Sequence, residues 1–270
     1  MVAEAVAAAS AADVALVFLG LPPSHESEGY DREHMNLPRQ QIDLLEAVAA
    51  ANPNVIVVLS NGAAVTVADW QHKARAVLEC WLLGQAGGAA VADLLLGAVS
   101  PSGKLAETIP VRLADNPTVG NFPRENGSVR YGEGLLLGYR WYDAHRLEVS
   151  HPFGHGLSYT SFAYRDLDLQ VLADGAAPRV RVAFTISNAG DRAGIEIAQV
   201  YVADPARPST GPSRSCAASP ASSLSQVHRS ASRWSWAPGP SPTGMRPSAT
   251  GPSRAGSSRC VLGPLAGIYA

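Results

Sequence analysis

The apolar residues of the first 110 positions form short continuous runs that alternate with segments of helical spacing. Val14–Leu19 and Val55–Leu59 are typical of strands buried on both faces, and Ala76–Leu82 predicts a third strand. Helices are predicted over residues 3–12, between Pro38 and Asn52, and over residues 87–96. Because strands and helices alternate, residues 1–110 are predicted to form an α/β domain, with a largely parallel sheet and helices on both faces.

The pattern changes after residue 110. Residues 111–160 are rich in Gly, Pro, Asn and aromatic residues, which predicts an ordered but irregular connection. A period of two then begins, and three successive strands are predicted: Phe162–Val171 with a break in phase near Asp166, then Val180–Ile186 and Ile195–Val202. Residues 161–204 are therefore predicted to be the first part of an all-β sandwich.

Residues 205–270 have a different composition. Ser, Pro, Ala, Gly and Arg make up 48 of the last 65 positions, without helical or strand period, which predicts a disordered tail. Residues 1–205 carry a net charge of -9, whereas residues 206–270 carry +7 and contain no Asp or Glu. This abrupt change favours the hypothesis that the tail is a frameshifted reading of a high-GC coding sequence. Resequencing the source DNA tests it, because a strand-rich reading in the original frame would remove the hypothesis.

Composition argues against several classes of function. A net charge of -2 predicts no general affinity for nucleic acid or for an anionic membrane surface. No stretch approaches the roughly 20 apolar residues that cross a bilayer, and no signal peptide is recognised, which favours a cytoplasmic location. The three cysteines share no metal-ligand spacing, and a site built from His25, Asp31 and His34 lacks the helical His spacing of known zinc motifs. No metal and no cofactor are predicted.

The segment Leu21–His34, termed the 21–34 loop, follows the first predicted strand at the edge where open parallel sheets bind ligands. It contains several carboxylates, of which Glu26 and Glu28 suit the cleavage of a glycosidic bond, since that reaction needs a carboxylic acid to protonate the departing oxygen. Gly29 allows close approach of the backbone, and Tyr30 offers a surface on which a sugar can stack. The alternative is that the loop is solvated surface.

A series of motifs in a fixed order gives the chain a resemblance to glycoside hydrolase family 3, of the β-glucosidase type. The motifs are Glu26–Arg32, Met35–Pro38, Asn52–Leu59, Trp81–Gln85, Ala92–Gly97, Pro101–Leu105, Tyr131–Gly134, Gly138–Asp143, Phe153–Thr160, Asn188–Gly190 and Gln199–Val202. The resemblance implies that residues 1–110 belong to the family's C-terminal α/β sandwich domain, without its N-terminal part. It also implies that residues 161–204 begin an immunoglobulin-like, fibronectin type III-like domain.

The resemblance also implies roles for residues of the 21–34 loop. Glu28 matches the family's acid/base glutamate, with Glu26 as the alternative. Tyr30, Asp31 and Arg32 are implied to contact the substrate, although Asp31 and Arg32 could instead form an ion pair that shapes the loop. The family's aspartate nucleophile lies on a (β/α)8 barrel that this sequence does not include.

The function implied by the resemblance is that of a fragment of a retaining, exo-acting β-glycosidase. The implied substrates are β-glucosides or oligosaccharides with a terminal non-reducing β-D-glucosyl residue. The missing barrel is the implied protein partner, and without it the chain is expected to be inactive. The alternatives are a β-xylosidase-type member of the family, a non-catalytic carbohydrate-binding module and a gene remnant. Because a sheet that lacks neighbouring elements leaves apolar surface uncovered, we expect the chain to self-associate.

Overall fold

The computed structural model describes residues 1–122, 126–173 and 179–203, together with the backbone of four later strands. Two compact units are present. The first contains residues 1–93 and 106–153, and the second contains residues 94–105 and 154–270. Each unit is described by itself below.

The first unit has the α/β organisation that the sequence predicts. Its elements are α1 (Val2–Ser10), β1 (Ala15–Gly20), α2 (Arg39–Ala51), β2 (Val55–Ser60), β3 (Ala76–Glu79), α3 (Gly87–Leu95, which reaches the boundary of the unit), β4 (Ile109–Pro110), α4 (Tyr139–His145) and β5 (Val149–His151), with 3-10 turns at Gln71–Lys73 and Leu113–Asp115. Strands β1, β2 and β3 form one parallel sheet with β2 in the centre. None of the described helices combines the length and apolar character that crossing a membrane requires.

The core of this unit lies around β2 and the apolar side of α2. Val55, Val57 and Leu59 of β2 are at most 1% exposed, as a central parallel strand requires. Leu45 of α2 is fully buried as well. Asn52 joins the C-terminal ends of α1 and α2. Its Nδ2 donates hydrogen bonds to the carbonyl oxygens of residues 9 and 12, at 2.9 and 2.7 Å.

Strand β1 is buried on one face only, so the prediction of burial on both faces is wrong for this strand. Val17 and Leu19 are buried, whereas Leu16 is 47% exposed and Phe18 is 66% exposed. The continuous apolar run predicts a second covering layer. No described element of the first unit covers Leu16 and Phe18, which leaves an apolar face at the edge of the sheet.

The second unit contains antiparallel strands β6 (Phe162–Ala173), β7 (Arg179–Asn188), β8 (Gly194–Ile197) and β9 (Val200–Ala203). The predicted break in phase is confirmed: Asp166 has a φ of 58°, and the register between β6 and β7 shifts there. Alternate residues of β7, Val182, Phe184 and Ile186, form the core. The single strand predicted at 195–202 is wrong, because β8 and β9 are separated at residues 198–199 and pair with different strands.

Four segments of the tail also form strands. They are β10 (Ser215–Ala218), β11 (Ala221–Leu224), β12 (Arg229–Trp236) and β13 (Arg259–Leu262). They pair antiparallel with β9, β8, β7 and β9 respectively. Over these segments the structure differs from the predicted disorder, because strand edges offer unpaired backbone groups to any extended segment that lacks proline. The rest of the tail, to which the predicted disorder also applies, lies outside the described residues.

We expect the chain to self-associate through the exposed face of β1, and we expect Phe18→Thr to raise the fraction of monomer. Threonine keeps the strand preference while removing the largest exposed apolar side chain of that face. Sedimentation velocity over a concentration series measures the effect. Val17→Thr, on the buried face, is the matched control and is expected to cost about 1–3 kcal/mol of stability without raising the monomer fraction. A wild-type chain that is a monodisperse monomer would contradict this expectation.

Candidate active site

The 21–34 loop leaves the sheet at a tightly constrained strand end. A Cβ atom at Gly20 would lie 2.3 Å from the carbonyl oxygen of Ser60 in β2, so only glycine fits. The side-chain amide of Gln41 in α2 bonds Gly20 twice: Oε1 accepts from its N–H at 2.9 Å, and Nε2 donates to its carbonyl at 2.8 Å. These contacts fix the point at which the chain turns out of the sheet.

Glu28 lies at the tip of a tight turn. Ser27 and Tyr30 form an antiparallel bridge on either side of it, and the Gly29 N–H donates to Ser27 Oγ at 3.3 Å. The Tyr30 hydroxyl donates to the carbonyl oxygen of Pro23, which ties the turn to the start of the loop. Glu28 itself is exposed, and within the described residues its carboxylate has no hydrogen bond and no ion pair.

Glu26 is held by groups on both sides of its carboxylate. Its Oε2 accepts a hydrogen bond from the Gly62 N–H at 2.6 Å, and its Oε1 lies 3.8 Å from Nη1 of Arg32. The same Nη1 donates to the carbonyl oxygen of Ala64 at 3.3 Å. Glu26 therefore attaches the loop to the segment that follows β2. The two candidate carboxylates thus have different surroundings: Glu26 is engaged, and Glu28 is free.

The alternative of an ion pair between Asp31 and Arg32 is wrong. The Arg32 side chain turns inward to Glu26 and Ala64, whereas Asp31 is exposed and forms no ion pair within the described part of the chain. A long guanidinium side chain gains a carboxylate and a carbonyl by pointing inward, while a short aspartate beside it stays in water. Nη2 of Arg32 is buried and has no hydrogen-bond partner among the described residues.

Two further carboxylates near this edge were not recognised from the sequence. Burial raises the pKa of Glu79, at the end of β3, to about 7; hydrogen bonds from the Trp81 N–H and Asn61 oppose this, and the charge of Glu107 adds to it. Partial burial also raises the pKa of Glu107, against the effects of the Ala64 N–H and the Arg32 charge. The available signal was the position of Glu79, a charged residue inside the apolar run Ala76–Leu82.

The arrangement offers one freely accessible carboxyl on an anchored turn. Such a group can give a proton to a bound molecule or take one from it, because nothing in the described residues competes for its oxygens. Within the described residues, no group of three His, Cys, Asp or Glu side chains is arranged to hold a metal ion.

Residues 1–159 match the glycosyl hydrolase family 3 C-terminal domain, which is more than half of the chain. The chain belongs to glycoside hydrolase family 3. Two curated relatives agree with this family. The exo-α-(1→6)-L-arabinopyranosidase of Bifidobacterium longum is 51% identical over 209 residues, and thermostable β-glucosidase B of Acetivibrio thermocellus is 50% identical over 206 residues. Each match covers 76% of this chain and 27% of the relative, so the chain spans about a quarter of the length of these curated relatives.

Solved structures of the family agree with the fold. The crystal structure of a family 3 β-glucosidase from Bifidobacterium adolescentis superposes with a TM-score of 0.83 at 46% sequence identity, covering 87% of this chain and 34% of that one. A β-glucosidase 3B from Thermotoga neapolitana in complex with glucose superposes with a TM-score of 0.79 at 32% identity, covering 88% of this chain and 34% of that one. The predicted α/β class and the family 3 resemblance are confirmed.

We expect Glu26→Gln to destabilise the chain by about 1 kcal/mol or more, because it weakens a charge-assisted hydrogen bond and removes an ion pair. Glu28→Gln is the matched control and is expected to change stability by less than about 0.5 kcal/mol. Urea unfolding of both variants at neutral pH measures the difference, and Phe18→Thr can serve as a common background to limit self-association. Equal effects of the two substitutions would contradict the distinction between an anchored and a free carboxylate.

Proposed function

We propose that Glu28 is the general acid/base of a retaining, exo-acting β-glycosidase of the β-glucosidase type. The observation that carries the proposal is the contrast between the two glutamates of the loop. Glu28 stands exposed at the tip of the turn with a free carboxylate, whereas the Glu26 carboxylate accepts a hydrogen bond from Gly62 and faces Arg32. A group that must exchange protons with a substrate cannot be committed to holding the backbone in place.

In the proposed reaction Glu28 acts twice. In the first step its carboxyl donates a proton to the glycosidic oxygen, while an aspartate attacks the anomeric carbon and the bond to the leaving group breaks. In the second step the Glu28 carboxylate takes a proton from water, whose oxygen attacks the anomeric carbon and releases the aspartate. The sugar is released with its original anomeric configuration, and Glu28 regains its proton.

The aspartate nucleophile is proposed to come from a (β/α)8 barrel outside this sequence. The chain spans about a quarter of the length of the curated relatives quoted above, so most of each relative has no counterpart here. A retaining site needs two carboxyls about 5 Å apart, and this chain is proposed to supply one of them. We therefore expect the purified chain by itself not to hydrolyse glycosides at a useful rate.

Tyr30, Asp31 and Arg32 are proposed to differ in their roles. Tyr30 is 46% exposed beside Glu28, and Asp31 is exposed, so both can reach a bound sugar. Arg32 points inward to Glu26, which favours a role in shaping the loop.

The sugar is proposed to be a terminal β-D-glucosyl residue, with an α-L-arabinopyranosyl residue as the second candidate. The relatives quoted above include both a β-glucosidase and an exo-α-(1→6)-L-arabinopyranosidase at nearly equal identity. Despite their names, the two linkages have the leaving group on the same side of the pyranose ring, so one acid/base position serves both. A β-D-xylosyl residue, which differs from a glucosyl residue only in lacking the exocyclic hydroxymethyl group, belongs in the same comparison.

The test is a chimera in which residues 1–204 replace the corresponding part of the Acetivibrio thermocellus β-glucosidase. We expect the chimera to hydrolyse aryl β-D-glucosides. The values of kcat/KM for aryl α-L-arabinopyranosides and aryl β-D-xylosides then rank the three sugars as substrates. Glu28→Gln is expected to lower kcat/KM by 10²–10⁴-fold for a phenyl glucoside. The loss should be small for a dinitrophenyl glucoside, because that leaving group departs without a proton.

Glu26→Gln is the matched control in the chimera. Because its proposed role is to hold the loop, its loss should be similar for the phenyl and the dinitrophenyl substrate. A leaving-group-dependent loss in Glu26→Gln, with none in Glu28→Gln, would transfer the acid/base role to Glu26. Hydrolysis of an aryl β-glucoside by the purified 270-residue chain, abolished by Glu28→Gln, would contradict the proposal that the nucleophile lies elsewhere.

A further inference from the structure

The segment just after strand β3 contains a residue in an unfavourable backbone conformation. Trp81 has a φ of 52°, in the left-handed region that bulky side chains rarely adopt. Two side chains hold it there. Glu79 Oε1 accepts a hydrogen bond from the Trp81 N–H at 2.9 Å, and Ser60 Oγ donates to the Trp81 carbonyl oxygen at 3.1 Å. The conformation of the chain after β3 therefore depends on the carboxylate of Glu79.

The other oxygen of the same carboxylate faces the end of β2. Nδ2 of Asn61 lies 3.5 Å from Glu79 Oε2 and donates to the carbonyl oxygen of Ala63 at 3.0 Å. Asn61 is fully buried, and its Oδ1 has no hydrogen-bond partner in the described residues. The orientation of this buried amide is thus set by one carbonyl and by Glu79. The next residue is Gly62, whose N–H holds Glu26.

Gly62 also receives contacts from the segment after β3. A Cβ atom at Gly62 would lie 3.0 Å from Glu26 Oε2 and 3.1 Å from Cδ1 of Leu82. Glu26 and Leu82 therefore both lie close to the same glycine. Because Leu82 directly follows Trp81, a change in the backbone of Trp81 moves a side chain that lies against the anchor of the loop.

We propose that Glu79 is a positioning residue for the turn that carries Glu28. Its carboxylate holds Trp81 with one oxygen and faces Asn61 with the other, and together they set the Gly62 N–H to which the loop is attached. The catalytic meaning of this assignment rests on the proposed role of Glu28. The anchoring itself is a property of this chain and can be measured without substrate.

The charged surroundings of Glu79 make its effect depend on pH. Burial raises the pKa of Glu79 to about 7, with the Glu107 carboxylate adding to the effect. Burial, and after it the Glu79 charge, raises the pKa of the neighbouring Cys80 thiol. Burial also raises the pKa of Glu107, and the Ala64 N–H and the Arg32 charge oppose this. A neutral carboxyl is a weaker acceptor than a carboxylate. The bond to Trp81 is therefore strong above a pH of about 7 and weakens below it.

The linked effect on stability has the opposite direction. Since the pKa of Glu79 is raised in the folded chain from 4.5 to about 7, the folded chain binds a proton that the unfolded chain does not bind in this pH range. The contribution of Glu79 to the stability of the fold therefore decreases as the pH rises from 4.5 to about 7. Such a group is costly to the fold at neutral pH, which is typical of a residue placed for function.

The experiment follows the backbone amides of Trp81 and Gly62 by NMR between pH 5 and pH 9, in the full chain labelled with ¹⁵N at tryptophan and glycine. Both resonances are expected to shift with one shared midpoint near pH 7. Glu79→Gln keeps an acceptor oxygen but removes the titration, so this transition should disappear. Glu107→Gln should move the midpoint to lower pH. Glu28→Gln should leave it unchanged.

Two results would overturn the proposal. The first is a Gly62 transition near pH 7 that persists in Glu79→Gln, and the second is a Trp81 transition that Gly62 does not share. Far-UV circular dichroism establishes that each variant is folded. If Glu79→Gln does not fold, the test depends on whether Glu107→Gln moves the midpoint to lower pH. An unchanged midpoint in Glu107→Gln counts against the proposal. Loss of the acid/base role of Glu28 in the kinetic test would leave these titrations unaffected, so the two failures are distinguishable.

Discussion

The hydrogen bond from the Gly62 N–H to the Glu26 carboxylate holds the loop that carries Glu28. The loop leaves β1 at Gly20 and carries Glu28 on a turn of four residues. Glu26 attaches this loop to the segment that follows β2, and Arg32, which donates to the carbonyl oxygen of Ala64, is a second attachment to the same segment. Because a charge-assisted bond of this kind is short and directional, it can hold the turn more firmly than solvated loop residues can. The same bond gives two glutamates two positions apart different surroundings.

The sequence predicted the parts of the fold that depend on local pattern. The continuous run Val55–Leu59 lies in the central buried strand β2. The alternating residues of Val180–Ile186 lie in β7 and place their apolar side chains on the core face of that strand. The phase break at Asp166 appeared as a register shift. The loop with Glu26 and Glu28 was found as well, since acidic residues that directly follow a buried strand lie at the edge where parallel sheets bind ligands. These features require only neighbours in sequence.

Features that depend on distant contacts were not predictable in the same way. Arg32 pairs with Glu26 rather than Asp31 because its side chain can reach the carbonyl oxygen of Ala64, which is distant in sequence. The contact between Glu79 and Asn61 is visible only in the structure, because it depends on the pairing of β2 with β3. The apolar run around Phe18 predicts a buried side chain, but Phe18 is exposed in the structure. An apolar run indicates that a strand requires a covering layer, and it does not show that the layer is present. In each case the missing information was a tertiary neighbour.

The central claim is that Glu28 exchanges the proton and that Glu26 holds the loop. Rescue by azide in the Acetivibrio thermocellus chimera tests it most directly, because azide is an anionic nucleophile that displaces the aspartate from the sugar without help from a general base, but it cannot replace a backbone anchor. The account predicts that azide accelerates the turnover of a dinitrophenyl glucoside by Glu28→Ala and yields the β-glucosyl azide, with no such rescue in Glu26→Ala. Rescue of Glu26→Ala alone, with the glycosyl azide as product, would contradict the claim.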